Sequence, residues 1–315
     1  EVGKRDIREL TTTTGTAKAA KTVELKSEIN GKYELMTNPK TGRPYKLGDI
    51  VDAGTVIIKL NNKEHENSVS LPTKKMQVDI AQKEWNGQKA VYEKGGATEK
   101  DVLTAESAYI GAQTALETAN SDLAKLTIKA PFKGAIVNLP YFTPNVEVAS
   151  GETMVGLMDY SQMYMEIALP ENTIDKVKVG QKVLVTNYNI KSDTLSGIVS
   201  QLSPAINEDT RTFVGFITIN NPELKLRPGM FAKGEIITLQ KDSVIVIPKE
   251  IVNSRRGGNR IIYTVEQNRA VEKMITTGIS DDRFIEVETG LNQGDKIVVK
   301  GYEFLRNRGK VKIMK

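Results

Sequence analysis

One small β-motif is written twice in this chain, and a helical stretch holds the two copies apart. Gly48, Val51, Gly54, Ile57 and Leu60 fall at three-residue steps, and Asn145, Val148, Gly151, Met154 and Leu157 repeat those steps with matching residue types. Gly or Asn at the turn positions tolerates positive φ, and the apolar positions between them must face a shared interior. Each copy has a similar lead-in, Ile29-Asn30-Gly31-Lys32-Tyr33 before the first and Lys129-Ala130-Pro131-Phe132-Lys133-Gly134-Ala135-Ile136 before the second. Neither half can bury its apolar face alone. The expectation is therefore that 23–61 and 126–158 fold onto each other, and that the segment between them leaves the β-unit and returns to it.

That segment, 62–125, reads as an antiparallel helical hairpin. In its second arm Ala105, Tyr109, Ala112, Leu116, Ala119, Leu123 and Leu126 recur at alternating steps of four and three, the seam of a coiled coil. From Thr98 to Lys125 the arm reaches about 40 Å at 1.5 Å per residue. The first arm is less regular; Met76, Ile80 and Val91 are assigned to its seam, and Pro72 marks either a kink or a start. Between the arms, Gly95 and Gly96 stop one helix, and Thr98 caps the next with Asp101 in the capping-box position. An ordinary buried helix pair is the plainer alternative. The splice point speaks against it, because a long hairpin inserted into a small β-unit cannot easily fold back over it.

After Leu157 the helical period disappears. Stretches 163–169, 213–219 and 231–237 alternate, Val183 to Val185 follow a turn at Gly180, and Asn220-Asn221-Pro222 and Arg227-Pro228-Gly229 supply further turns. Such spacing predicts a small antiparallel barrel over 159–240. A further β-domain is expected over 241–315, with Pro248 closing a strand, Arg256-Gly257-Gly258-Asn259 forming a hairpin-like loop, and Gly290, Gly294 and Gly301 as punctuation. The opening stretch, 1–22, with its Thr11 to Thr14 run, is too short for a domain and is expected to add edge strands to these C-terminal modules.

Composition narrows the chemistry. With 315 residues the chain has room for two or three cores, and no apolar run approaches the 18 or more residues that span a bilayer. The sequence opens on Glu1 without Met, so a signal peptide or an anchoring segment is expected to precede it. With no cysteine, disulfides and thiol catalysis are excluded. The single histidine, His65, lies between Glu64 and Glu66 without a partner Ser motif and reads as a surface residue rather than a general base. No phosphate-binding or dinucleotide fingerprint is present, and Asp281-Asp282 reads as a solvated turn. Met158, Met163 and Met165 could hold Cu(I) as thioethers, but their alternation with Tyr164 and Glu166 reads as the core face of a strand. No catalytic, cofactor-binding or metal-binding residue is assigned. A net charge of +5, interspersed with acids, gives nucleic-acid binding little support. Two local basic clusters, Arg255, Arg256 and Arg260, then Arg306, Arg308, Lys310, Lys312 and Lys315, are either solvated or suited to an anionic membrane surface or an acidic partner.

Taken in order, these stretches resemble the periplasmic adaptor family, also called membrane fusion proteins, of tripartite efflux pumps. The likeness runs through Ile128-Lys129-Ala130-Pro131-Phe132-Lys133-Gly134, Leu169-Pro170-Glu171, Val179-Gly180-Gln181, Gly197-Ile198-Val199, Ser203-Pro204-Ala205-Ile206-Asn207 and Thr210-Arg211-Thr212. It continues through Leu226-Arg227-Pro228-Gly229-Met230, Ile247-Pro248 and Gly290-Leu291-Asn292-Gln293-Gly294-Asp295-Lys296-Ile297-Val298-Val299. The resemblance implies a mainly β, elongated multi-domain chain: two lipoyl-like halves with an inserted coiled-coil hairpin, a β-barrel and a membrane-proximal β-domain. It implies a non-catalytic subunit, most like the adaptors of resistance-nodulation-division pumps, acting by oligomeric assembly and anchored to the inner membrane from the periplasm. Its partners would be an inner-membrane efflux transporter, an outer-membrane channel, the inner-membrane surface and further copies of itself, as dimer units or a hexameric ring. An ATP-driven or a metal-ion efflux system is an alternative setting. The hairpin tip, taken as Gly87, Val91, Lys94, Gly95, Gly96, Thr98 and Lys100, would contact the channel. Many such adaptors carry Arg, Leu and Ser near the tip; the equivalents here are Gly87, Val91 and Thr98, and Gly87 departs from that pattern, with close packing or local bending as its expected cause. A biotin or lipoyl carrier, also two β-halves, is the distant rival, but its modified Lys sits in the tight turn that the hairpin here replaces.

Overall fold

A computed structural model describes residues 1–140, 143–187, 190–254 and 259–311. It resolves into two units, Ala20–Tyr160 and Glu1–Ala19 with Ser161–Lys315. The first strand, β1 (Lys4–Lys26), contributes residues to both.

In the 20–160 unit, β2 (Gly31–Leu35), the small hairpin β3 (Thr37–Asn38) and β4 (Arg43–Pro44), β5 (Ile50–Val51) and β6 (Val56–Asn61) make the first half. Three helices follow, α1 (Lys63–Val69), α2 (Leu71–Glu93) and α3 (Glu99–Ala124). The second half is β7 (Thr127–Lys129), β8 (Gly134–Asn138), β9 (Glu147–Val148) and the start of β10 (Thr153–Pro170). One layer runs β7-β6-β2-β9, and β5, β8 and β10 pair in the other.

The repeat is visible as an exchange of backbone bonds. Gly48 N–H donates to Ile136 O at 2.8 Å and Ile136 N–H to Asp49 O at 2.9 Å; Asn145 N–H donates to Tyr33 O at 3.0 Å and Tyr33 N–H to Val146 O at 2.9 Å. A second pair of exchanges joins Gly54, Ala130 and Thr55 in one direction and Gly151, Ser27 and Glu152 in the other. The turn residues Gly48, Gly54, Asn145 and Gly151 all have φ between 66 and 89°, which is why Gly or Asn stands there. The apolar steps Val51, Ile57, Leu60, Val148, Met154 and Leu157 are buried in one core to which both halves contribute.

The helical hairpin leaves from β6 and returns on β7, two neighbouring antiparallel strands, with Leu60 N–H bonded to Leu126 O at 2.7 Å. A left-handed residue, Ser70, separates α1 from α2, and Pro72 lies in the first turn of α2, so it marks a start rather than a kink. In α3 the expected seam faces inward, with Ala105 and Ala119 buried and Tyr109, Ala112, Leu116 and Leu123 half-buried. In α2 the expected seam is wrong: Met76, Ile80 and Val91 are 56, 55 and 44% exposed. The half-buried series is instead Leu71, Lys74, Val78, Ala81, Trp85 and Gln88, again at steps of three and four, with Trp85 stacked on Tyr109 at 5.3 Å. Lys74, Trp85 and Gln88 cover the seam with their carbon stems and ring, so hydropathy does not mark them.

The other unit holds the rest of β10, then β11 (Lys182–Asn187), β12 (Ile190–Asn207), β13 (Thr212–Asn220), β14 (Phe231–Pro248), β15 (Asn253–Ser254), β16 (Arg260–Glu266), β17 (Arg269–Ser280) and β18 (Phe284–Thr289). Strands β14, β11, β12, β13 and β10 pair in that order, and β1 pairs with both β10 and β14, closing a barrel. Met163 and Met165, fully buried, lie in the barrel core with Ile167, Leu169, Phe213 and Ile217. Strand β14 runs on into a terminal β-domain with its own core of Ile247, Ile262, Ile275, Ile285 and Val287. There Lys241 Nζ bonds both carboxylate oxygens of buried Glu286 at 2.9 Å. Asp281 forms a turn, its Oδ1 accepting from Arg283 and Phe284 N–H.

Candidate functional site

The hairpin tip is built by two caps that meet. At the end of α2, Gly95 N–H donates to Tyr92 O at 2.9 Å and Gly96 N–H to Val91 O at 3.0 Å, with Gly95 at φ 78°. This pair of bonds around a left-handed glycine is a Schellman motif. A Cβ on Gly96 would lie 3.1 Å from Val91 Cγ1, so that glycine lets the loop close onto the last turn. Two residues on, Thr98 Oγ1 accepts from Asp101 N–H, and Asp101 Oδ2 accepts from Thr98 N–H at 2.9 Å and from Thr98 Oγ1 at 2.6 Å. These hydrogen bonds from Thr98 hold the Asp101 carboxyl below its ordinary pKa. Asp101 fills the box that Glu or Gln usually fills.

The structure thus brings Val91, Lys94, Gly95, Gly96 and Thr98 into one hydrogen-bonded turn, with Lys100 exposed in the first turn of α3. Gly87 stands apart, seven residues or about 10 Å down α2. It lies inside helix α2, and a Cβ there would meet nothing within 4 Å, so close packing does not account for the glycine. Tyr92 and Leu103, 45 and 57% exposed, add apolar surface near the tip that the seam pattern did not reveal. Their only sequence signal is an apolar residue off the heptad positions. Along one side of the hairpin a groove lies between Ile80 and Glu84 of α2 and Thr104 and Ala108 of α3.

The remaining candidates are placed elsewhere. His65 is half-buried at the hairpin root, not on the surface, and its Nε2 is 3.1 Å from Asp122 O at the end of α3. Arg260 bonds Thr277 Oγ1, and Arg306, Arg308 and Lys310 are exposed, while Arg255, Arg256, Gly257, Gly258, Lys312 and Lys315 lie outside the described residues. Among the described residues no group of three His, Cys, Asp or Glu side chains is placed to hold a metal ion. No helix among them is long and apolar enough to cross a membrane.

A two-half β-body interrupted by a coiled-coil hairpin, joined to a closed barrel and a terminal β-domain, defines a multi-domain adaptor architecture. Residues 162–240 match the model of the CusB-like beta-barrel domain, and 240–313 that of the YknX C-terminal permuted SH3-like domain. With these two domain matches in sequence, the chain is similar to the membrane fusion, or adaptor, proteins. It is 25% identical over 267 residues to the cobalt-zinc-cadmium resistance protein CzcB of Cupriavidus metallidurans, covering 80% of this chain and 50% of that protein. It is 22% identical to the multidrug resistance protein MdtA of Escherichia coli, covering 95% of this chain and 75% of that one. The chain spans about half the length of the CzcB relatives it matches. Among solved structures, a MacA-MexA chimera carrying the Pseudomonas aeruginosa MexA α-hairpin shares the fold at a TM-score of 0.60 and 22% identity, covering 94% of this chain and 98% of that one. A putative efflux transporter from Bacteroides eggerthii matches at a TM-score of 0.60 and 18% identity, covering 100% of this chain and 97% of that one.

Proposed function

We propose that this chain is the non-catalytic adaptor that links an inner-membrane transporter to an outer-membrane channel in a tripartite efflux pump, working from the periplasm as an oligomer. The observation that carries this reading is the hairpin: rooted on two adjacent strands, capped at both helix ends of its tip, and ending in side chains the fold itself does not use. In this reading Val91, Lys94, Gly95, Gly96, Thr98 and Lys100 meet the channel, joined by Tyr92 and Leu103. Gly87 lies on the outward face of α2 beside that contact. The barrel and terminal domain serve the transporter side, and the two-half β-bodies pack against further copies.

The test is photo-crosslinking in native membranes from residues placed singly at positions 94 and 103, and at 211 in the barrel. An outer-membrane channel captured from the tip and an inner-membrane transporter captured from the barrel support the assignment. Capture of neither, in cells where the untagged partners are expressed, ends it. A second setting, metal-ion efflux, is favoured by one observation, that the CzcB relatives are named for cobalt, zinc and cadmium resistance and for cation efflux. Loss of zinc or cobalt tolerance on deletion, without loss of drug tolerance, would select it.

A further inference from the structure

The terminal β-domain carries an apolar trough that the hairpin reading does not use. Its ridge is segment 296–299, which lies beside β16: Thr264 bridges Ile297, Val298 N–H donates to Tyr263 O at 2.9 Å, and Val265 N–H to Lys296 O at 2.7 Å. Two concavities share Ile297 and Val299. The larger, about 640 Å³, is walled by Val265, Leu305 and Val311; the smaller, about 300 Å³, by Val246, Pro248 and Phe284. Val299, common to both, is 48% exposed although it is β-branched and apolar.

The mouths of the trough are cationic. Lys296 and Lys300 border the larger concavity, and Lys4 and Arg5 the smaller, where the Arg5 guanidinium stands 4.1 Å over the Phe284 ring. Lys4, Lys296 and Lys300 have no carboxylate within 4 Å among the described residues, and Glu1 is the one acid among those residues that lines either concavity. An acidic peptide would answer the charges, but among the described residues no hydroxyl or carboxamide side chain lines the walls to receive its polar groups. An alkyl chain requires none, and lysine stems lie naturally along apolar surface with their ammonium groups at its edge.

We infer that this trough receives the acyl portion of an anionic phospholipid, with Lys296 and Lys300 at the mouth of the larger concavity and Lys4 at that of the smaller to meet the lipid phosphate. The inference rests on the adaptor reading, which brings the chain beside a bilayer, and it adds a specific lipid site to general surface contact. Each lysine near an anionic membrane is worth roughly five-fold in binding, so removing three weakens it roughly 100-fold.

Flotation of the full chain with vesicles of phosphatidylcholine, alone or mixed with phosphatidylglycerol, tests this. Binding to the mixed vesicles is expected, weakened roughly 100-fold by combined Lys4→Gln, Lys296→Gln and Lys300→Gln. Val299→Asn, which leaves every charge in place at an exposed position, is expected to abolish the binding that survives high salt. Water-soluble glycerophosphoglycerol should not displace the vesicles. Thermal melting confirms that each variant is folded. Absence of binding to the mixed vesicles, displacement by the free headgroup, or indifference to Val299→Asn overturns the site. Photo-crosslinking of a transporter from position 299 without vesicle binding also overturns it, while leaving the adaptor reading intact. Failure of the tip and barrel cross-links with vesicle binding preserved would have the opposite meaning.

Discussion

Truncating the same repeat position in both halves measures whether the two halves share one core. Leu60 and Leu157 are equivalent in the repeat, and both are fully buried. Replacing either by Ala removes a buried isopropyl group and leaves a cavity that Ile57, Ile136 and Met154 of the same core cannot close, because they also belong to the packed interior. Such truncations cost about 3–5 kcal/mol. With a urea dependence of about 2 kcal/mol per M, each variant should unfold at a midpoint roughly 1.5–2.5 M lower. Circular dichroism follows the β-structure. Emission of Trp85, the only tryptophan, follows the hairpin seam through its stack on Tyr109. Because the hairpin is rooted at Leu60 and Leu126, the two probes should shift together, and the two variants should shift by similar amounts. A midpoint change in one variant only, or a Trp85 transition that stays in place while the β-signal moves, would refute a shared core that anchors the hairpin.

Other expectations bear on the tip and the terminal domain. Gly95→Ala forces a Cβ into a left-handed position at φ 78° and should destabilise the tip by about 1–2 kcal/mol, read as faster trypsin cleavage after Lys94. Gly87→Ala, at an open helical site, should stabilise the hairpin by up to about 1 kcal/mol, read as a higher midpoint of Trp85 emission. Thr98→Ala should cost roughly 1 kcal/mol of hairpin stability through loss of the cap. The Asp101 carboxyl is held below its ordinary pKa by Thr98, so its contribution is present above the unfolded value near about 4 and is lost as pH falls through the lower folded value. An acid titration of hairpin helicity should therefore lose one step in Asp101→Asn. Gly278→Ala would drive a Cβ into the Glu286 carboxylate, already fixed by Lys241 and by Ile279 N–H at 3.0 Å, and should lower the melting temperature of the terminal domain. An unchanged melting curve would mean that the Lys241–Glu286 pair yields freely.

What could be seen in advance follows from how local each signal is. The repeat declared itself because positive-φ glycines and fully buried apolar residues alternate within a dozen positions, and no distant partner changes that pattern. The α3 seam was equally visible, since Ala, Tyr and Leu keep strict heptad spacing. The α2 seam was not, because Lys74 and Gln88 bury carbon while counting as polar, and Met76 and Ile80 sit on the outside. The opening stretch reads as edge strands, but its single continuous course from Lys4 to Lys26 is not legible, because its buried positions include Thr13, Ala17 and Ala19, small or polar residues that give little alternation over 23 residues. His65 was read as exposed because its contact, Asp122 O, is 57 positions away. The trough in the terminal domain joins Val246, Phe284, Val299 and Leu305, which no local window contains.

The root of the hairpin also determines how the molecule bears load. A pull or twist at the tip travels down two helices and enters the β-body at Leu60 and Leu126, which are already bonded to each other. The feet therefore cannot be prised apart without breaking the ladder between β6 and β7, and β6 passes the stress to β2, whose neighbour β9 belongs to the other half. Strain arriving at the tip is thus spread over both copies of the motif before either can yield. The duplication serves as a foundation for a lever as well as a way to close a core.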